Sequence, residues 1–319
     1  MLRIAMSLLL RVQLTSLRAW LWLAQLRAGW RWLVKLLLLG VVVLFTLYPH
    51  PVLLVREIQH LSNVESLIQP DLPEVAEMNR EITAQLKPDA TKREEFRAVE
   101  RYVYEHIRYE YDWFNWGNLD YWPTAKEAID RKREDCDGQA IVAASVLRAR
   151  GFKTASVVAN LQHCWVTVDG SELMGPQPDK NMRRVGDRVV LSFPEVRTIL
   201  ASTAMINKFP AVRCLVILVT VLVLAYHPCR NLSGFLGVLT LGLAGMVLLL
   251  DWSNRFNARA KDLEFSSLLW CLGFWLIALT AALLANRLVV GRARSAVRAE
   301  VSAEGANDSD RKSTTARAE

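Results

Sequence analysis

Cys136 carries the strongest chemical signal in the chain. It lies in Asp135-Cys136-Asp137-Gly138-Gln139, just before Ala140, Ile141, Ala143, Ala144, Val146 and Leu147, a run so small and apolar that it reads as a buried central helix. A thiol in the first turn of a helix faces the positive end of the macrodipole and unpaired N–H groups, and both favour the thiolate. Asp135 and Asp137 oppose ionisation by like charge, so an imidazole partner is needed as well. His163, 27 residues on, is the candidate base and falls on an expected strand. Strand alternation sends His163 and Trp165 to one face and Cys164 and Val166 to the other. If His163 meets Cys136, Cys164 is therefore expected to point away. That divergence argues against a Cys136–Cys164 disulfide and against a zinc site made of Cys136, His163 and Cys164. No metal or other cofactor is expected. The plain alternative is an inert buried thiol and a structural imidazole.

The elements that must position this pair follow from local pattern. Leu72–Leu86 reads as a helix. Thr91 with Glu94 forms a capping box, followed by Phe96, Val99, Tyr102, Val103 and Ile107 on one helical face. Tyr109–Trp122 is dense in aromatic residues. It could line a groove for an extended ligand or plug the core of a small domain. Thr124 and Glu127 cap a further helix that runs to Arg131-Lys132-Arg133, and Gly151 closes the helix that Cys136 opens. The period then changes to two. Thr154–Asn160 and Gln162–Val168 are expected strands, Asp169-Gly170 a hairpin turn, and Glu172–Met174 the start of the return strand. Arg188–Phe193 is a further strand and Glu195–Asn207 a helix. A central helix on an antiparallel sheet is an α+β domain.

The succession Tyr102–Tyr111, Thr124–Ile129, Asp135–Ala140, Val146–Phe152 and His163-Cys164-Trp165-Val166 resembles the transglutaminase-like superfamily of cysteine enzymes. The resemblance covers roughly residues 75–180 and implies a papain-like fold with a Cys–His–Asp triad. Cys136 would be the nucleophile and His163 the general base. The third member departs from the pattern, because the place of the family's Asp-Pro reads Gly175-Pro176. A two-residue turn at Asp169-Gly170 pairs positions that sum to 339, which sets His163 opposite Pro176. Asp169 lies too far along the strand to orient His163. Asp179 is the nearest later carboxylate and the candidate third member, with Gln177 as a neutral substitute. The resemblance implies hydrolysis of peptide or other amide bonds. An amine acceptor in place of water would make the same site a cross-linking transferase. A catalytically impaired module that binds a partner is the alternative.

Charge separates the chain into two kinds of segment. Of its 319 residues, those from Arg56 to Lys208 hold 21 basic and 24 acidic residues, while the remainder holds 18 basic and 8 acidic beside long apolar runs. That distribution fits a membrane protein and argues against nucleic acid as a partner. A membrane-spanning segment is expected within 33–55, and three more within 209–286, at about 210–226, 234–250 and 265–285. Lys35 is expected to snorkel to the headgroups. Residues 1–32, with Arg3, Arg11 and Arg18 on one helical side, read as a basic amphipathic segment on the bilayer surface rather than a cleaved leader. The bias of Lys and Arg places both ends in the cytoplasm and residues 56–208 outside it, as part of a multi-pass protein of the plasma or inner membrane. The short basic loop Asp251–Glu264 runs against that orientation. Residues 287–319 read as a disordered cytoplasmic tail. Beyond the lipid bilayer and a peptide or amide substrate, no protein partner is indicated.

Overall fold

A computed structural model describes residues 18–160, 163–175, 182–185, 188–191, 203, 205–229, 231–258 and 268–290, with backbone alone at 182–185, 188–191 and 256–258. The chain forms two compact units, one of Leu44–Pro210 and one of Met1–Val43 with Ala211–Glu319.

A helix, α1 (Ala28–Leu47), leads into the polar unit. There follow α2 (Pro51–Ser62), α3 (Pro73–Gln85), α4 (Lys92–His106), β1 (Arg108–Tyr109), the single turn α5 (Asp112–Asn115), α6 (Ala125–Arg131), β2 (Arg133–Glu134) and α7 (Cys136–Ala149). Strands β3 (Ser156–Ala159), β4 (Cys164–Val168), β5 (Ser171–Leu173), β6 (Met182–Val185) and β7 (Arg188–Leu191) complete it. The architecture is α+β and mostly helical, with a small antiparallel sheet ordered β5-β4-β3-β6-β7.

Composition makes α7 the centre. Every residue from Asp137 to Leu147 is buried, with α3, α4 and α6 packed against it together with β3 and β4. Its small side chains let the neighbouring backbones approach from several directions, which a helix of Leu and Phe could not allow. On α4, Phe96, Val99, Tyr102 and Val103 form the buried stripe and Ile107 caps it, as the spacing predicts. Both capping boxes are formed, Thr91 with Glu94 and Thr124 with Glu127. At the far end of α7, Gly151 takes φ +94° and Phe152 N–H reaches the Leu147 carbonyl at 3.0 Å, closing the helix with a left-handed residue.

Asp169 and Gly170 both have positive φ, 47° and 78°, as the primed two-residue turn requires. The register follows, with Val166 opposite Leu173, Thr167 opposite Glu172 and Val168 opposite Ser171. Strand β6 was not anticipated: two adjacent arginines, Arg183 and Arg184, hide its period. Most of the expected helix over 195–207 falls outside the described residues; among those described, Met205–Asn207 form a short 3-10 turn.

Ala28–Leu47, Leu232–Arg255 and Leu268–Val290 are long and apolar enough to cross a membrane; α8 (Ala211–Tyr226), at 16 residues, is shorter. The second and third of these lie in α9 (Leu232–Ala258) and α10 (Leu268–Val290). Helix α1 begins five residues before the expected border at 33, because no breaker separates Trp30 and Trp32 from the apolar run. Residues 18–25 are helical, and 1–17 lie outside the described residues. Lys35 corrects an expectation. It is buried, its Nζ donates to the His227 carbonyl at 2.7 Å, and it stands 4.4 Å from the centre of the Trp32 ring. The carbonyls at the end of α8 offer it an acceptor that lipid cannot, and Asn286 donates to the same His227 carbonyl.

The close packing of α7 sets a test. Ala143→Leu inserts a branched side chain where the native residue has no exposed surface, and overpacking of this kind costs about 1–3 kcal/mol. Urea unfolding of the detergent-solubilised chain, followed by tryptophan fluorescence, should show the midpoint lowered, whereas an exposed control such as Arg80→Ala should leave it unchanged.

Candidate active site

Cys136 is the first residue of α7, and Asp135 is its N-cap, with Oδ1 accepting from Asp137 N–H at 3.2 Å. The parallel β1–β2 bridge sets Tyr109 beside Glu134, so the aromatic segment begins next to the helix start. Glu134 lies buried against that start and accepts from Asn115 Nδ2 at 3.0 Å and Trp116 Nε1 at 3.1 Å. Gly138 is required here, since a Cβ would fall 2.6 Å from Glu134 Cγ. Gln139 Nε2 donates to the Ile107 carbonyl at 2.8 Å and ties the first turn of α7 to the end of α4.

His163 lies just outside the β3–β4 ladder, whose last pair is Ala159 with Cys164. Its backbone is held by Asn160, whose Oδ1 accepts from His163 N–H at 2.9 Å. The Cys136 and His163 side chains lie close enough to shift each other's ionisation. Nε2 of His163 is 2.8 Å from the Met174 carbonyl, which can only accept, so Nε2 carries a proton and Nδ1 is left to face sulfur.

Cys164 departs from expectation. It does not point away from Cys136, which packs on the core cluster that Cys164 belongs to, and each thiol shifts the other's ionisation. Alternation holds only inside a ladder. With His163 in the connection that precedes β4, both residues turn toward the start of α7. The argument from divergence against a zinc site fails with it. Among the described residues, however, the three donor atoms found within 4.8 Å of one another are those of Asp112, Asp120 and Asp137, not those of Cys136, His163 and Cys164.

The electrostatics follow from these contacts. The Cys136 thiol is held well below its ordinary 9, first by Cys164 and then by His163, against the opposing effect of burial. His163 is raised above its ordinary 6.5, first by Cys136 and then by the Met174 carbonyl. The acids around the helix start do not carry full charge. Burial, with Asp135 and Asp112 as like-charged neighbours, drives Asp137 well above the carboxylate range, and it shares a hydrogen bond with Asp135. Burial followed by the Cys136 charge raises Asp135 to about 7. Asp112, Asp120 and Glu134 are raised too, burial again coming first, the last two to about 8. The like-charge penalty on a thiolate is thus reduced by protons.

The third position is unlike the expected one. Met174 and Gly175 both adopt positive φ, 68° and 69°, and turn the chain out of the β5 register. The Met174 carbonyl thereby reaches His163 two residues before the pairing point at Pro176. Glu100 on α4 fixes this turn by accepting from Met174 N–H at 2.7 Å. Gly175 lies beside the imidazole, and a Cβ there would stand 3.6 Å from Nε2. Asp179 and Gln177 fall outside the described residues. The aromatic segment divides between core and surface. Trp116, Tyr121 and Trp122 are buried, whereas Tyr109 and Phe114 are 50% and 59% exposed. Tyr111 stacks on Trp113 with ring centres 4.5 Å apart. Tyr104, Tyr109 and Tyr111 all lie close enough to Cys136 to feel its charge.

Residues 76–171 match the family model of the transglutaminase-like superfamily. The chain contains a transglutaminase-like domain. The matched stretch starts within α3, takes in Cys136 and His163, and ends at the first residue of β5. No curated protein and no solved structure matches the chain. Cys164 and Glu100 within that stretch, and the Met174 carbonyl just past it, are the site groups that sequence reading missed. The Met-Gly pair after a short return strand is the one signal that could have marked a turn there.

The buried acids of the domain predict an unusual pH dependence. Folding raises their pKa values, so the native state keeps protons that the unfolded chain has released at neutral pH. Their stabilising contribution is full below the unfolded values and is lost as pH rises through the folded ones. Melting temperature is expected to fall as pH goes from about 4.5 to about 8, the two values between which Glu134 moves. In Glu134→Gln, which keeps an acceptor for Trp116 and Asn115, the fall should be shallower. Thermal scans of both proteins across that range test this.

Proposed function

We propose that the transglutaminase-like domain is a membrane-anchored thiol hydrolase of peptide or other amide bonds. Cys136 attacks the carbonyl, His163 gives its proton to the departing amine, and water then releases the acyl group with His163 as base. The observation that supports this most is the pairing of Cys136, the first residue of a buried helix, with His163, the thiol pulled down and the imidazole pushed up. A thiolate–imidazolium pair exists over the pH range in which the thiol's pKa lies below the imidazole's, and both shifts act in that direction. The Met174 carbonyl orients the imidazole as the carboxylate or amide does in other triads. Asp179 remains the proposed carboxylate of the triad. Asp179→Asn distinguishes the two: a drop of about tenfold or more in kcat assigns the role to Asp179, and unchanged turnover leaves it with the carbonyl.

The position we propose for the domain is extracytoplasmic, between α1 and α8, with both ends of the chain in the cytoplasm. The basic residues beside the first and last apolar helices support it. Four crossings satisfy this if α8, whose 16 residues span ~24 Å, is counted with the three longer helices.

Purified full-length protein should release product from peptide or amide substrates, and Cys136→Ala should abolish the release. A blank for both proteins across amide and amine-acceptor assays would sink the enzyme reading. Alkylation of Cys136 by iodoacetamide should remain fast well below pH 9, the ordinary thiol value, and His163→Ala should move the half-maximal pH back up toward it. Identical alkylation profiles for the two proteins would refute the ion pair.

A further inference from the structure

Two thiols meet where the proposed mechanism uses one. Cys136 is partly exposed and Cys164 only 7% exposed, both are free, and they lie near one another where α7 packs on β4. Cys164 belongs to the core behind the helix start, and Cys136 packs on that core from the open side. The remaining cysteines, Cys214, Cys229 and Cys271, all belong to the other unit.

We infer that Cys136 and Cys164 form a reversible oxidation site, in which a hydroperoxide converts the pair to a disulfide and switches the nucleophile off. The inference rests on Cys136 being the nucleophile proposed above. Its exposure makes Cys136 the sulfur that peroxide meets first, and the thiolate is the reactive form. The thiolate attacks the distal peroxide oxygen; an S–O bond forms, the O–O bond breaks, and the departing alkoxide or hydroxide takes the proton of His163. Cys136 is now a sulfenic acid. The Cys164 sulfur, already nearby, attacks it; an S–S bond forms, and the hydroxyl leaves as water with the Cys164 proton. One hydroperoxide is reduced to alcohol and water, and two thiols are oxidised. An external dithiol reverses the step by exchange.

The arrangement also decides what oxidation does not reach. A sulfenic acid with no thiol beside it can proceed to sulfinic acid, which thiols do not repair. Cys164, shielded from solvent and kept protonated by burial and by the adjacent thiolate, is placed to capture the intermediate first.

The test uses full-length protein, reduced and then exposed to hydrogen peroxide, with peptide mapping of every cysteine. Reduced wild type should alkylate at Cys136 with iodoacetamide. After peroxide that labelling should be lost, a Cys136–Cys164 cross-linked peptide should appear, and dithiothreitol should restore the labelling in full. In Cys164→Ser, or Cys164→Ala should the first fail to fold, peroxide should drive Cys136 to sulfinic acid and dithiothreitol should restore nothing. Wild-type Cys136 reaching sulfinic acid without the cross-link would overturn the inference and leave the hydrolase reading standing. Failure of reduced Cys136 to alkylate at all would remove both.

Discussion

The electrostatic pairing of the Cys136 thiol with the His163 imidazole is the interaction on which the rest of the site depends. It joins the first residue of a helix to a residue just outside a strand, so two elements of different period must arrive at one point. Helix α7 is fixed from its own side by Asp135 as cap, by Gln139 on the Ile107 carbonyl and by Glu134 against Gly138. His163 is fixed by Asn160 on its backbone and by the Met174 carbonyl on its ring. Neither side chain is left to find the other by rotation, and an ion pair so constrained is organised before any substrate arrives.

An acid-rich surround would ordinarily disfavour a thiolate. Here burial reverses that effect. Asp112, Asp120, Glu134, Asp135 and Asp137 are crowded into an interior that penalises their charge, so protons stay on them, and Asp137 and Asp135 share one hydrogen bond. The site thus tolerates many carboxyl groups without suffering many negative charges. Coupling of this kind also means that the charge state of the helix start changes as a unit, not residue by residue.

Local chemistry was legible in the sequence wherever it stays local. Both capping boxes, the left-handed Gly151 and the Asp169-Gly170 turn depend on neighbours a few residues apart, and each stands where its pattern puts it. The centrality of α7 was legible because only a surrounded helix can use so many alanines. What was illegible came from tertiary placement. Alternation misassigned Cys164 because it assumed that His163 shares the ladder, and the ladder stops one residue short. The orienting acceptor on His163 is a backbone carbonyl, which every residue has and no sequence advertises. The arginines of β6 erased the period that would have announced it. Lys35 was read by the general habit of lysines near lipid, whereas a specific carbonyl 192 residues away claims it.

That last contact has a bearing on how the protein meets its bilayer. Lys35 lies seven residues into α1, ~11 Å along its axis, and is tied there to the end of α8. A helix pinned part-way along its length cannot slide along the membrane normal to suit a thicker or thinner hydrocarbon layer. Any mismatch must be taken up by the lipid, which thins or thickens around the bundle at a cost of fractions of a kcal/mol per ångström. With α1 spanning a bilayer, as proposed, local thickness is set in part by the protein, and lipid composition bears on where it can reside.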